Sequence, residues 1–404
     1  MHLWLFLRGM MMTNSKKELL NKFRDRGLSL YFHFPFCKTK CSYCDFYSLT
    51  GKADLKSEYI KALITELDLS GRRFSSLYPE PSTIYFGGGT PSLFNPANFN
   101  LIIEKVKSNF GLKLDPEITL EINPADINSF KELQEFKQAG VNRFSLGVQS
   151  LNDEELKLLG RRHDSKQARE VIKFLQELEV NFSVDLISSL PGQKSSDYLT
   201  SLKELVKYKP NHFSIYNLQL EEGTELYRAV NNQELPEISE DVDAINYKNT
   251  ARILKSAGYD HYEISSFAFP GYQSAHNSSY WRFIPYLGLG PGAHSFIELN
   301  RIENLKDLDS YIKLNSKNQE PKHQIDELSI KELRSEFMFL GLRMEQGILK
   351  KEFHDLFGQK VDFFYSDRIN KLEDKGLIKS TDRVIKLTDQ GKLFANQVFL
   401  AFID

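Results

Sequence analysis

The sequence predicts an α/β fold built as a barrel or partial barrel, followed by a small, mostly helical, winged-helix-like domain. Six short β-rich runs are each followed by a longer amphipathic stretch, in which apolar residues recur every three to four positions. Strands that alternate with helices in this way indicate a parallel sheet. Each run also ends in polar or glycine-rich residues, which is typical of the carboxyl ends of strands in barrel enzymes.

The six predicted strands cover residues 28–34, 82–88, 117–123, 142–148, 181–189 and 212–218. We interpret these runs as apolar on both faces, as expected for strands buried beneath helices. The pattern divides the chain into four parts: an N-terminal extension (1–26), a barrel with its extension (27–297), an irregular polar connection (298–335) and a C-terminal domain (336–404). We expect residues 1–12 to be dispensable.

Composition excludes several classes of protein. The 404 residues are 41% hydrophobic and 26% charged, with a formal net charge of -2, so no basic footprint for nucleic acid is present. The N-terminal apolar run is too short for a membrane span, which needs about 20 residues, and it lacks the features of a signal peptide. All three cysteines lie within eight residues, which favours a metal site in a reducing compartment. We therefore expect a cytoplasmic protein.

The cysteine loop carries the strongest chemical signal. Cys37, Cys41 and Cys44 form a C-x3-C-x2-C pattern within the stretch YFHFPFCKTKCSYCDFY. Three thiolates on one loop can hold a [4Fe–4S] cluster and leave one iron without a protein ligand, which is a place for chemistry. A zinc site with His33 as the fourth ligand and a set of unliganded thiols remain as alternatives.

The same stretch resembles the radical S-adenosylmethionine (SAM) superfamily. The aromatic Tyr43 precedes the last cysteine, and the Y-x-H-x-P-F-C pattern that begins at Tyr31 narrows the resemblance to the HemN/HemW branch. This branch contains oxygen-independent coproporphyrinogen III oxidases and heme chaperones. The resemblance covers about residues 28–400 and implies a partial (β/α)6 TIM-type barrel.

The resemblance also implies where SAM binds. In the family, the open iron holds the amino and carboxylate groups of SAM, and an electron from the cluster cleaves SAM to a 5'-deoxyadenosyl radical. The GGGTP turn is expected to contact the SAM amino group, and Glu121 is expected to accept hydrogen bonds from the ribose hydroxyls. The residues expected to bind the cofactor are Tyr31, Tyr43, Gly88, Gly89, Thr90, Glu121, Gln149, Arg161 and Asp185, with Arg162 an alternative to Arg161.

Two hypotheses about function follow from the resemblance: a heme-binding chaperone and a decarboxylating enzyme. His276, Tyr280 and Trp281 fit the H-N-x-x-Y-W pattern of the heme chaperones, which implies that the imidazole is an axial heme ligand and that the aromatic rings cover the porphyrin. The other hypothesis is decarboxylation of coproporphyrinogen III. Phe46 occupies the position of a fourth cysteine in the oxidases. The oxidases also carry a long segment ahead of the corresponding tyrosine, whereas only 30 residues precede Tyr31 here. Both differences favour the chaperone.

The partners implied by the chaperone hypothesis are heme, apo-hemoprotein acceptors and an electron donor. A transient membrane association with acceptor proteins is also expected, and the chain is expected to be a monomer or a dimer.

Overall fold

A 12-stranded sheet forms the main body of the protein. The computed structural model describes residues 14–403. Six neighbouring parallel strands make up the centre of the sheet: β1 (Ser29–Phe34), β2 (Thr83–Gly88), β3 (Glu117–Ile122), β4 (Arg143–Gln149), β5 (Asn181–Ser188) and β6 (His212–Asn217). The outermost of these six strands, β1 and β6, pair with other strands of the sheet and not with each other. The predicted six-stranded parallel barrel is therefore confirmed, and it is open.

Helices follow the parallel strands in the predicted order. Those between β1 and β6 are α2 (Lys56–Phe74), α3 (Pro96–Phe110), α4 (Phe130–Gln138), α5 (Asp153–Leu158), α6 (Ser165–Glu177) and α7 (Ser195–Lys207). Short polar side chains fix several of their starts: Asp164, for example, accepts a hydrogen bond from the backbone of Gln167 and completes a capping box. After β6 come α8 (Glu225–Asn231) and α9 (Glu240–Ser256). Within residues 14–403, no helix combines the length and the apolar character needed to cross a bilayer.

The two faces of the parallel strands differ, and here the sequence interpretation is wrong. Alternate residues such as Leu30, Phe32 and Phe34 point outward into the core shared with the helices. The intervening residues point into the barrel and are mostly polar. They include Ser29, Tyr31, His33, Thr83, Tyr85, Glu117, Thr119, Glu121, Arg143, Ser145, Ser183, Asp185, His212 and Ser214. The strands are therefore apolar on one face only.

The polar segment 298–335 is not an irregular connection. It contains β11 (Asn300–Asn304), α11 (Leu308–Ser316) and β12 (Lys322–Glu327), and both strands join the main sheet. They extend its β1 edge together with β9 (Tyr286–Leu289) and β10 (His294–Ile297). The opposite edge carries β7 (Asp260–Glu263) and β8 (Ser266–Ala268), and the short helix α10 (Ala275–Trp281) lies between the two additions in the chain.

A buried carboxylate explains why the polar segment folds onto the barrel. Glu66 of α2 accepts hydrogen bonds from the Gly290 amide (2.8 Å), the Asn304 side chain (2.7 Å) and the Tyr311 hydroxyl (2.7 Å). Lys322 approaches the same carboxylate at 3.3 Å. Polar residues in the segment therefore have partners inside the protein, which a pattern of hydrophobicity does not reveal.

The C-terminal region has the predicted helical character and a small antiparallel sheet. Its helices are α12 (Ile330–Gly341), α13 (Lys350–Phe357), α14 (Val361–Asp374), α15 (Asp389–Leu393) and α16 (Ala395–Leu400). The sheet has the order β13 (Ile348–Leu349), β15 (Val384–Leu387), β14 (Ile378–Ser380). The boundary predicted at residue 336 falls inside α12.

The predicted N-terminal extension takes part in the fold from residue 14 onward. Helix α1 (Asn14–Arg24) buries Leu19 and Phe23 in the hydrophobic core of the C-terminal domain. The Phe23 ring lies edge-on to Phe283 and Phe296, with ring centroids 5.6 and 4.7 Å away. The segment 1–12, expected to be dispensable, lies outside the described residues.

We predict that Phe23→Ala destabilises the protein by about 3–5 kcal/mol, because it removes a fully buried aromatic ring from this core. Thermal unfolding followed by circular dichroism measures the effect. Glu18→Ala on the same helix is the matched control and should change stability by less than about 0.5 kcal/mol, since Glu18 is exposed. Equal melting temperatures for the two variants would show that α1 does not contribute to the domain core.

Candidate functional site

A cavity of about 1060 Å³ opens at the carboxyl ends of the parallel strands. Its walls come from the loops after β1, β2, β3, β4 and β6, from strand β5, from α9, and from residues 392–399 of the C-terminal domain. The size lies at the upper end of the range of about 300–1000 Å³ that is typical of ligand pockets. The chemically distinctive loops of the sequence therefore meet in one place, as the barrel prediction requires.

The cysteine loop forms one wall of this cavity. All three thiols line it and are half-buried. The Cys37 sulfur lies 3.5 Å from Thr90 Oγ1, and Arg161 Nη1 donates to the Cys41 sulfur at 3.6 Å. Burial raises the pKa of the Cys37 thiol and raises the pKa of Cys44 to about 11. The loop therefore places three sulfur donors on one wall of the cavity.

The three thiols on one cavity wall fit an iron–sulfur cluster held by three thiolates, in which one iron has no protein ligand. Across residues 14–403, no three Cys, His, Asp or Glu side chains already surround a single metal-sized point. The fit therefore rests on sulfur chemistry, on the spacing of the cysteines and on their shared cavity wall.

His33 is not available as a zinc ligand, because both of its ring nitrogens are used inside the protein. Nε2 donates to the Tyr47 carbonyl at 2.8 Å, and Nδ1 accepts from the Tyr31 hydroxyl at 3.0 Å. Burial lowers the pKa of His33 to about 4, so the ring is neutral at pH 7. The imidazole joins β1 to the far end of the cysteine loop, which is a structural role.

Packing inside the protein requires glycine at two positions of the GGGTP turn. A Cβ on Gly88 would lie 2.6 Å from the His33 ring, and the φ of +109° is itself unfavourable for other residues. A Cβ on Gly89 would lie 2.8 Å from the carbonyl oxygens of Phe34 and Phe36. The turn is therefore glycine-rich because it packs against the start of the cysteine loop, although Gly88, Gly89 and Thr90 do line the cavity.

Glu121 lies at the end of β3 with its carboxylate on the cavity wall. It accepts hydrogen bonds from the Tyr85 hydroxyl (2.7 Å) and the Gly88 amide (3.1 Å). Burial raises the pKa of Glu121 to about 7, and the nearby Asp185 carboxylate acts in the same direction. A carboxyl group that titrates near neutrality in a cavity is a candidate functional residue.

The other predicted cofactor residues fall into two groups. Tyr43, Gln149, Arg161 and Asp185 line the cavity, whereas Tyr31 is not among its lining residues and lies below it. Arg161 donates to the Gly147 carbonyl (2.7 Å) as well as to Cys41. Asp185 accepts from Ser145 (2.8 Å), and its second carboxylate oxygen is buried without a hydrogen-bond partner in the protein.

Arg161 and Arg162 have different partners, although both reach the cavity. Arg162 pairs with the buried carboxylate of Asp126, which also pairs with Lys38 at 2.9 Å. Lys38 follows Cys37 directly, so Asp126 connects the cysteine loop to the loop after α5. Sequence reasoning missed Asp126, because a lone aspartate after a strand carries no distinctive pattern.

The predicted heme ligand His276 lies inside the protein in this conformation. The side chain is fully buried, and its two ring nitrogens are bonded to the Thr83 hydroxyl and the Tyr280 hydroxyl, each at 2.8 Å. Trp281 is also engaged, because the Arg343 guanidinium lies 4.1 Å from the centre of its ring. In this conformation neither ring nitrogen of His276 is free, whereas Tyr280 and Trp281 remain partly exposed.

Several further cavity residues were not predicted. Tyr85 and Ser145 face the cavity, and their alternation with apolar residues along β2 and β4 was a usable signal. The C-terminal domain adds Lys392, Phe394 and Phe399. Nothing in the sequence links these last residues to the barrel, because the contact depends on how the two domains pack.

We predict that Asp126→Asn loosens the cysteine loop. The change leaves Arg162 and Lys38 next to an uncharged side chain, and because both cations are partly exposed we expect a loss of about 1.5–3 kcal/mol, as for a hydrogen bond to a charged group. Loss of iron from the reconstituted protein to a chelator should accelerate at least about tenfold. Asp45→Asn is the matched control, because Asp45 is an exposed carboxylate on the same loop. If the two variants lose iron at the same rate, Asp126 has no specific role in holding the loop.

Comparison with known proteins agrees with this geometry. The Radical SAM superfamily model matches residues 31–205, and the HemN C-terminal domain model matches residues 328–394. The chain is 33% identical over 377 residues to the heme chaperone HemW of Bacillus subtilis, covering 93% of this chain and 99% of the relative. It is 32% identical to the heme chaperone HemW of Escherichia coli, covering 93% and 98%.

A mitochondrial radical S-adenosyl methionine domain-containing protein 1 of Danio rerio is 34% identical, covering 92% of this chain and 85% of the relative. Among solved structures, coproporphyrinogen III oxidase (HemN) from Escherichia coli has the same fold, with a TM-score of 0.81, 22% identity, and coverage of 96% of this chain and 92% of that one. Family membership implies a [4Fe–4S] cluster and SAM. The chain belongs to the HemW family within the radical SAM superfamily.

Proposed function

We propose that this protein is a heme chaperone that holds a [4Fe–4S] cluster and SAM, binds heme and delivers it to apo-hemoproteins. The observation that carries the proposal is the identity of 33% to a relative named as a heme chaperone, over 99% of that relative's length. An electron donor that reduces the cluster is part of the proposal.

In this proposal Cys37, Cys41 and Cys44 hold the cluster, which supplies an open iron for SAM and a source of one electron. The residues proposed to bind SAM line the same cavity: Tyr43, Gly88, Gly89, Thr90, Glu121, Gln149, Arg161 and Asp185. Arg161 donates a hydrogen bond to the Cys41 sulfur and places a positive charge beside it. The Glu121 carboxylate and the unpartnered Asp185 oxygen offer acceptors for ligand hydroxyl or amino groups.

We predict that SAM affinity rises about five- to tenfold between pH 6 and pH 8, because Glu121 ionises near pH 7 and an ionised carboxylate is the stronger acceptor. The groups that face this carboxyl are the Tyr85 hydroxyl, the Gly88 amide and Asp185. Glu121→Gln should bind SAM at least about tenfold more weakly at pH 8, as expected for the loss of a hydrogen bond to a charged group.

The same variant is the control for the pH dependence, since it keeps the shape of the side chain and cannot ionise. The SAM affinity of this variant should therefore change less between pH 6 and pH 8 than that of the wild type. Equilibrium dialysis of the cluster-loaded proteins measures both quantities. A wild type and a Glu121→Gln variant with the same affinities at both pH values would contradict the assignment.

We propose that the heme site includes aromatic side chains of the cavity in addition to the helix that carries His276, whose Asn277 lines the same cavity. Three large aromatic side chains line the cavity yet remain substantially exposed: Phe46 (63%), Tyr216 (47%) and Phe394 (43%). Exposed rings of this size are costly in water and are suited to stacking on a planar apolar ligand. Phe46 lies two residues after Cys44, so heme bound there is close to the cluster.

We predict that Phe46→Ala weakens heme binding about five- to tenfold, which corresponds to about 1 kcal/mol of lost stacking. Titration with heme, followed at the Soret band, measures the change. Phe363→Ala is the matched control, because Phe363 is 73% exposed on the C-terminal domain and does not line the cavity. Equal heme affinities for these two variants would exclude Phe46 from the heme site.

The fold also favours a second candidate, oxygen-independent coproporphyrinogen III oxidase, because the HemN structure covers 96% of this chain. Incubation of the reconstituted protein with coproporphyrinogen III, SAM and a reductant separates the two candidates. The chaperone predicts no protoporphyrinogen, a stable Soret band with heme, and transfer of that heme to an apo-hemoprotein. Formation of protoporphyrinogen would select the oxidase.

A further inference from the structure

One stretch of the cavity wall lies where the barrel meets the C-terminal domain. Backbone hydrogen bonds join the two parts there: the Ile264 amide donates to the Arg343 carbonyl (3.1 Å), and the Glu345 amide donates to the Tyr262 carbonyl (3.0 Å). Ile264 and Arg343 both line the cavity, and so does Asn277 of α10. This junction, the cysteine loop and helix α10 therefore border one space.

The Arg343 guanidinium at this junction is incompletely paired. The Glu263 carboxylate lies 3.6 Å from its Nη2, which is longer than a well-formed charge-assisted hydrogen bond. The Arg343 Nε is buried and has no hydrogen-bond partner among the described residues. The group lies over the Trp281 ring, 4.1 Å from its centre, and this contact uses none of the N–H donors in a hydrogen bond. Since a guanidinium carries five such donors, Arg343 can donate to a further acceptor.

Tyr247 of α9 supplies a second unused donor on the same wall. Its side chain lines the cavity, and its hydroxyl is buried with no hydrogen-bond partner in the part of the chain that the structure describes. Burial raises the pKa of Tyr247, and the Arg343 guanidinium acts in the opposite direction, which shows that the two groups are close. A neutral hydroxyl and a guanidinium from two different domains therefore face one region of the cavity.

The other charged groups of this wall are already paired within the protein. Lys392 lines the cavity, and its ammonium group donates to Glu345 at 2.6 Å. Asp243 also lines the cavity, and its two oxygens accept from the Ser189 hydroxyl (2.6 Å) and the Asn217 amide (2.8 Å). In contrast to these groups, the guanidinium and the tyrosine hydroxyl retain donors for a ligand.

We propose that Arg343 and Tyr247 form a carboxylate subsite that takes a propionate group of heme. The proposal rests on the proposed function and adds how the anionic edge of the ligand is held. Heme combines an apolar plane with two carboxylates, and a guanidinium matches the geometry of a carboxylate. The subsite adjoins Trp281 of α10 and shares the cavity with the exposed ring of Phe394, so carboxylate and plane find partners in one place.

The test compares heme with heme dimethyl ester, in which both carboxylates are blocked. Each is titrated into the cluster-loaded full chain and followed at the Soret band. The wild type should bind heme at least about tenfold more tightly than the ester, as expected for a hydrogen bond to a charged group. Arg343→Gln should lose this preference: it should bind heme at least about tenfold more weakly than the wild type and bind the ester equally well. Tyr247→Phe should give a smaller loss for heme alone.

A matched control comes from the same domain. Arg334 of α12 also lies over an aromatic ring, with its guanidinium 3.8 Å from the centre of Phe364, and its Nε is also buried without a partner among residues 14–403. Arg334 does not line the cavity, so Arg334→Gln should keep the preference for heme over the ester. Arg343→Lys retains the charge without the planar fork and should recover part of that preference.

The outcomes separate the subsite from the proposed function. If the wild type binds heme and its ester with equal affinity, the carboxylate subsite is rejected while heme binding stands. If Arg343→Gln weakens the binding of both ligands equally, the side chain supports the fold or the heme plane, and the subsite is again rejected. If the wild type binds neither ligand, the proposed heme chaperone fails, and the subsite fails with it.

Discussion

The polar inner face of the six parallel strands is the constraint on which the rest of the structure depends. A parallel sheet covered by helices needs an apolar outer face, and β1 to β6 supply one. Their inner faces carry hydroxyl, carboxyl, imidazole and guanidinium groups, which must be hydrogen-bonded or paired once they leave water. At the floor of the barrel, Glu117 lies 3.9 Å from the buried Arg143 and accepts from the backbone of α10. At the mouth, the inward polar groups face a cavity and are free to meet ligands.

The cysteine loop shows how the scaffold and the site share residues. His33 comes from β1, bonds to Tyr47 beyond the last cysteine, and occupies the space that a side chain at Gly88 would need. Gly290, in the turn between β9 and β10, approaches the His33 carbonyl so closely that a Cβ would lie 2.5 Å from it. Three segments distant in the chain therefore fit around one imidazole. His33, which belongs to the motif that precedes Cys37, therefore has a packing role in the fold.

The sequence predicted the parts of the fold that depend on local periodicity. The six strands and the helices between them follow from hydrophobic spacing, and the cysteine loop was identified by residue type and separation. Strands β11 and β12 were missed because polar residues at their ends, Asn304 and Lys322, are satisfied by Glu66, which is more than 220 positions away in the chain. The role of Asp126 was missed for the same reason: its two cationic partners, Lys38 and Arg162, lie on different loops that only the folded chain brings together.

Pattern matching found the residues of the H-N-x-x-Y-W helix but not their partners, and this difference matters for the location of heme. The helix contacts the first residues of β1, β2 and β3, whereas the three cysteines lie beyond the last residue of β1. Asn277 of this helix nevertheless lines the same cavity as the three cysteines, although the His276 ring beside it is buried. Heme stacked on Phe46 would share one cavity with the cysteine loop and with the groups that surround Glu121.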